Sequence, residues 1–256
     1  SSVKSPVRNK RWNHNTSSSS GSRHCRKPSL SVGSKAATTT IPIVFTTSLD
    51  PIEAGIVTSL SRPSGNLTGI TSLNVEVEPK RLELLHESVP TASTIGVLVN
   101  PAGPNAETQS RNLQAAARVL GVQLHFLHAS SEREFDAIFS NMSQLGARAL
   151  LICADPLFVG RSEELGKLTL LHAVPAIWQG REFVSAGGLM SYGTSIAYMY
   201  HQLGVYTARI LKGDKPADLP VQQVAKIELV INLKTAKALG ITVPLSLIGR
   251  ADSVIE

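Results

Sequence analysis

From Ile41 onward, short apolar runs alternate with amphipathic stretches of ten to eighteen residues, and turn residues separate the two. That alternation limits the fold more than any other feature, because apolar runs of four to eight residues bounded by turn signals read as buried strands. The expected strands are 41–47, 67–71, 94–99, 122–127, 148–153, 173–178 and 187–192. Several are uniformly apolar, as in parallel sheets covered on both faces. Between them the segment "PNAETQSRNLQAAARVLG" reads as a helix bracketed by Pro104 near its start and Gly121 past its end. Ser131 and Glu134 form a capping-box pattern, after which Phe135, Ile138, Phe139, Met142 and Leu145 recur at helical spacing up to Gly146. Regular strand and helix alternation implies right-handed βαβ units, hence an α/β fold with doubly wound parallel sheets. The apolar share of 42% is enough to build the core such sheets need.

One device recurs three times. In "IPIVFTTSLDPIEAG", "IGVLVNPAGPNAE" and "ALLICADPLFVGR" a strand delivers an Asp or Asn followed by Pro and runs into an expected helix. Helix capping alone would explain such residues. Ligands of open α/β sheets, however, lie beyond the carboxyl ends of the strands, where helix N-termini offer free N–H groups. Asp50, Asn100 and Asp155 are therefore candidate cleft residues as well as candidate caps.

Charge is divided unevenly. Residues 1–40 carry eight basic and no acidic side chains, whereas residues 41–256 carry seventeen basic and nineteen acidic ones. A folded nucleic-acid-binding face would concentrate positive charge within the folded part, so that class is disfavoured. With eleven Ser and almost no apolar periodicity, residues 1–38 read as a disordered basic tail. Cys25 lies in that tail and Cys153 in the run "ALLIC", which suggests neither a disulfide framework nor a metal site. GxGxxG, GxxxxGK[ST], GxSxG, HExxH and CxxC are all absent. His125 and His128 are three apart in an expected strand and point to opposite faces, so they cannot chelate one metal. No cofactor is expected.

Several long stretches carry a resemblance: "DPIEAGIVTSLSRPSGNLTGIT", "KRLELLHESVPTASTIGVLVNP", "ADPLF", "VPAIWQGREFVSAGGLMSYG", "ARILKGDKPADLPVQQ" and "ELVINLKTAKALGITVP". Together they resemble the substrate-binding proteins of ABC transporters, in the branch that includes tryptophan- and tyrosine-type binding proteins. The resemblance implies a two-lobed type I periplasmic binding fold that closes on a small solute, an amino acid among the candidates, without catalysis. It also implies a monomer outside the cytoplasm that hands its ligand to a membrane permease and binds no nucleic acid. In that family the equivalent of "ATTTIPIV" stands well inside the first lobe, so this chain is read as N-terminally truncated or frame-shifted, with lobe one incomplete. The implied division is a tail over 1–38, a lobe-one remnant over 39–74 and lobe two over 75–186. A return to lobe one follows over 187–220, with a C-terminal segment at the lobe boundary over 221–256.

Carried over position by position, Thr46, Thr47 and Asp50 match the cleft edge of lobe one, and Asn100 and Asp155 that of lobe two. Glu182 and Tyr192 flank the return crossing. Asp50 or Asp155 would hold an ammonium group, while Trp178, Phe158 and Tyr192 are candidates for an apolar wall or, alternatively, for the core. Two other classes compete with a solute receptor: the effector-binding domain of a transcription regulator and a small α/β enzyme. The former needs a helix-turn-helix before residue 40, and the Ser-rich tail has none. Limited trypsinolysis should cut rapidly at Arg11 and Arg23 and leave a resistant body beginning near Ala36 to Ile41. Protection of either arginine would contradict a disordered tail.

Overall fold

A computed structural model describes residues 38–63 and 65–256. The expected tail lies outside the described residues apart from Thr38. Two sheets organise the chain: a three-stranded one in the order β1-β2-β8 and a seven-stranded one in the order β10-β9-β7-β6-β5-β3-β4.

The larger sheet is built from β3 (Thr94–Val99), β4 (Gln123–His128), β5 (Ala149–Ile152), β6 (Ala176–Trp178), β7 (Met190–Thr194), β9 (Ile227–Asn232) and β10 (Ser253–Ile255). Every pairing in it is parallel except that of β7 with β9. Strand residues alternate between two covered faces, as the uniformly apolar runs require. Leu151 and Cys153 pack with Leu82 and Leu85 of α1 (Glu78–Ser88) and Leu113 of α2 (Ala106–Leu120). Leu150 and Ile152 face the other way, onto Phe135 and Phe139 of α3 (Phe135–Asn141), Leu165 of α5 (Ser162–Leu171) and Phe183 of α6 (Arg181–Ser185). A short α4 (Pro156–Val159) links β5 to α5, and α8 (Leu233–Ala238) and α9 (Leu245–Ile248) lead into β10.

The smaller sheet comprises β1 (Ile43–Thr47), β2 (Leu67–Ser72) and β8 (Gln222–Val224), all parallel. Phe45, Ile56, Val57, Leu67 and Val221 fill one face. On the other, Ile70 and Val224 pack against Tyr206 of α7 (Ile196–Leu211). Gly69 permits the β1–β2 contact, because a Cβ there would stand 2.3 Å from the carbonyl oxygen of Phe45 and 2.8 Å from its ring.

Three expectations change. The segment after Asp50 is a pair of hydrogen-bonded turns ending at Gly55 (φ 68°), with Ile56 N–H donating to Pro51 O, and not a helix. A left-handed glycine four residues after Pro51 stops the coil before a second turn can form. The Ser131 box is also displaced: Glu134 accepts from Ser130 N–H at 2.8 Å, and a 3-10 turn over Glu132–Glu134 precedes α3. Finally, strand β7, expected to begin the return to lobe one, pairs inside the larger sheet with β6 and β9. Of the chain after residue 186, α7 through β8 belongs to the smaller unit, because the chain turns across after Thr194 and not before Met190. Likewise residues 227–255 join the larger sheet as its edge strands.

Gly69→Ala should destabilise the smaller unit by about 1–3 kcal/mol, the usual cost of overpacking a filled site. Urea unfolding read through amides of β1 and β2 checks this, and an unchanged midpoint would contradict the packing described.

Candidate functional site

The chain passes between the two units three times: two passages leave the carboxyl ends of strands of the smaller sheet, and one leaves the carboxyl end of β7 in the larger sheet. Residues 73–77 run from the end of β2 to the start of α1, residue 195 joins the end of β7 to α7, and residues 225–226 join the end of β8 to β9. On the larger side α1 begins where β5 ends, since Ala154 N–H donates to Glu78 Oε1 at 2.7 Å. The carboxyl edges of both sheets thus face each other across the crossings, which is the arrangement that makes a cleft in open α/β sheets.

The three Asp or Asn positions all serve local turns. Asp50, exposed beyond β1, accepts from the N–H groups of Ile52 (2.7 Å) and Glu53 (3.1 Å). Asn100 accepts from Ala102 N–H at 3.0 Å and donates through Nδ2 to Asp155 Oδ1 at 3.1 Å. Asp155 caps α4, accepting from Leu157 N–H at 2.9 Å, and its other oxygen lies 2.5 Å from where a Cβ on Gly103 would stand. Asn100 and Asp155 therefore form one lip of the larger unit's edge. On the facing edge, exposed Thr46 reaches Met199 Sδ on α7 at 3.1 Å, and Thr47 Oγ1 accepts from Leu49 N–H at 3.0 Å.

A cavity of about 260 Å³ lies beside the crossings, where the carboxyl ends of β6 and β7 meet the starts of α6 and α7. Gln179, Arg181, Glu182, Ser191, Thr194, Ser195 and Glu228 supply its polar lining. Glu228 is paired with Lys226 at 3.4 Å, whereas Glu182 is exposed and joins no ion pair among the described residues. A wider trough of about 700 Å³ is lined only by the single stretch from Gly160 to Leu171, so no separate elements converge on it. Tyr192 lies on the opposite face of β7 from Ser191 and Gly193 and packs against the core beneath α1 and α2. Trp178 and Phe158 are core residues: the indole N–H donates to Cys153 O at 3.1 Å, and the Phe158 ring tilts against Phe135. None of these three aromatics lines the cavity.

Sequence reasoning missed the residues that hold this region together. Glu78 and Arg81 are wholly buried, with Arg81 Nη1 3.6 Å from Glu78 Oε1. That carboxylate oxygen also accepts from Gln109 Nε2 at 2.9 Å, and Gln109 Nε2 donates in turn to Ala154 O at 2.8 Å. Arg81 donates through Nε to Tyr192 O (2.6 Å) and through Nη2 to Asn74 O (2.8 Å). Burial outweighs the attraction of Arg81 and pushes Glu78 up to about 7; burial likewise lowers Arg81, with Glu78 opposing that shift. The signal was present in "EPKRLELLHESV": Glu78 and Arg81 occupy the same stripe as Leu82, Leu85 and Val89, so the charges sit on the apolar face.

Fold and cleft together define a two-unit α/β protein of the kind that binds solutes between its sheets. Residues 29–255 match the ABC transporter substrate binding protein family, and the chain belongs to that family. It is 31% identical over 204 residues to the tyrosine-binding protein of Clostridioides difficile, an alignment covering 79% of this chain and 58% of that protein's length. Among solved structures, an ABC domain from Streptococcus pneumonia in complex with L-Trp is 29% identical, with a TM-score of 0.76 over 87% of this chain and 76% of that one. A conserved domain protein from Vibrio cholerae is 30% identical, with a TM-score of 0.75 over 86% of this chain and 73% of that one.

A carboxyl raised from 4.5 to about 7 stabilises the fold in full below pH 4.5 and loses that contribution as pH rises through about 7. Stability should therefore fall by about 2–3 kcal/mol more between pH 5 and pH 8 in the native protein than in Glu78→Gln. Paired urea titrations measure this, and parallel pH profiles would contradict it.

Proposed function

We propose that this chain is the solute receptor of an ABC importer, that it acts outside the cytoplasm as a monomer, and that it delivers an amino acid to a membrane permease without chemical change. The observation that carries the reading is the polar cavity at the facing carboxyl edges, with Glu182 on one side and the N-terminus of α7 on the other. An amino acid needs an anion for its ammonium group and N–H donors for its carboxylate, and this cavity offers both. Glu182 is assigned the ammonium. The α7 N-terminus, whose first-turn amides are only partly satisfied by the Ser195 cap at 3.4 Å, is assigned the carboxylate. Thr46, Thr47 and Asp50 form the facing wall, and Asn100 with Asp155 forms a lip that shapes the entrance. Asp155 is committed to its cap and to Asn100, which makes Glu182 the better counter-ion.

The relatives support an aromatic side chain on the ligand, since one is named for tyrosine and another holds L-Trp. The family supports a permease partner and the absence of catalysis. No nucleic-acid role is assigned, in keeping with the slightly acidic balance of residues 41–256.

Calorimetry with L-tryptophan and L-tyrosine tests the reading. Saturable one-to-one heat is expected with at least one of them, weakened about tenfold or more, or about 1.4 kcal/mol, by Glu182→Gln. Because Glu182 is exposed, its melting temperature should not move. Absence of heat with both amino acids, or unchanged affinity in the variant, would overturn the assignment.

A further inference from the structure

We infer that Arg81 is the positioning residue of the hinge: it fixes the first crossing segment to strand β7 of the larger unit, so that the two units bend only on the smaller unit's side of Asn74 and Thr194. The inference rests on the solute-receptor function proposed above and specifies where a closing motion of the two units is located. One guanidinium donates to the backbone of the first crossing, at Asn74 O (2.8 Å), and to that of β7, at Tyr192 O (2.6 Å), just ahead of the second crossing. The first crossing also seats its own side chain on the last residue of β7, since Asn74 Oδ1 accepts from Thr194 N–H at 2.9 Å.

Gly193 makes that seat possible: a Cβ there would stand 2.9 Å from Asn74 Oδ1 and 2.4 Å from Gln179 O. Glu78 holds the guanidinium from behind at 3.6 Å and is itself fixed by Ala154 N–H and Gln109. One buried network therefore joins the first crossing and the end of β7 to the peptide next to Asp155 on the cleft wall.

Beyond this weld the restraints thin out. Leu73 N–H reaches Thr194 Oγ1 at 3.3 Å, and Ser195 N–H reaches Lys226 O at 3.2 Å. Ala225 and Lys226 of the third crossing are exposed. A hinge is a few residues able to absorb φ/ψ change, and Leu73, Ser195 and the 225–226 pair are the crossing positions held outside the Arg81 network. Arg suits its position by shape: its planar fork presents N–H groups on separate nitrogens to two carbonyls at once, whereas the donors of Lys radiate from one compact ammonium.

Amide hydrogen exchange by NMR on the ligand-free full chain tests the inference apart from any ligand. In the native protein the Thr194 amide should exchange as slowly as the core amide of Cys153, and those of Leu73 and Ser195 at least tenfold faster. Arg81→Lys keeps the charge opposite Glu78 and should accelerate Thr194 at least tenfold while leaving Cys153 unchanged. Asn74→Ala should do the same at Thr194 without disturbing the charge pair, which covers the case in which Arg81→Lys does not fold. The inference is overturned if Thr194 keeps its protection in the variants, if Thr194 and Cys153 accelerate equally in Asn74→Ala, or if Ser195 is as slow as Thr194 in the native protein. Failure of the native chain to bind either aromatic amino acid would remove the binding assignment and leave these exchange rates as an independent result.

Discussion

A buried ion pair between Glu78 and Arg81 is the interaction on which the two-unit architecture depends. Wholly desolvated charges are costly, and their mutual attraction offsets that cost only when further hydrogen bonds complete the set. Here Gln109, Ala154 N–H and the carbonyls of Asn74 and Tyr192 provide most of those bonds, leaving Glu78 Oε2 and Arg81 Nη1 without a hydrogen-bond partner among the described residues. Removing one partner of such a pair typically costs about 3–5 kcal/mol, because the other is left buried and unpaired. A well-packed apolar pair would stabilise the core as well, but could not bond the backbone of the first crossing and of β7 at once.

The smaller and larger units are held differently, and this bears on function. Seven strands with helices on both faces give the larger unit two extensive cores, one on each face, whereas three strands with α7 on one face give the smaller unit two small clusters. Attaching the first crossing to the larger unit places the rigid part of the joint where packing is most extensive. The cavity lined by Glu182, Ser191 and Thr194 has one wall formed by β7, β9 and the start of α6 in the larger unit, and another at the start of α7 in the smaller one.

Periodicity made most of the fold legible in the sequence. Strands 94–99 and 149–152 and the helix from Ala106 to Leu120 stand close to where apolar runs and end signals placed them, because burial on both sheet faces imposes those patterns directly. Local turn chemistry was harder: the stretch after Asp50 has a helix-like start but reaches a left-handed glycine too soon. The site was less legible still. Glu182 and Tyr192 were named only through the family resemblance, and Tyr192 could not be assigned a face without the register of β7 against β9. Asn74, Arg81 and Gly193 work through contacts between residues more than a hundred positions apart, and a single sequence shows no such pairing. The chain spans 58% of the length of the tyrosine-binding relative, so its own binding properties must be measured on this chain.

The central claim is that the two sheets close on a small ligand about crossings, the first of which is welded to the larger unit. The direct measurement is the distance between spin labels on Glu53→Cys in the smaller unit and Glu107→Cys in the larger, in a Cys25→Ser background, with and without L-tryptophan or L-tyrosine. The account predicts a broad distance distribution that narrows and shifts to shorter values when the binding amino acid is added. A distribution that does not change at saturating ligand would contradict it.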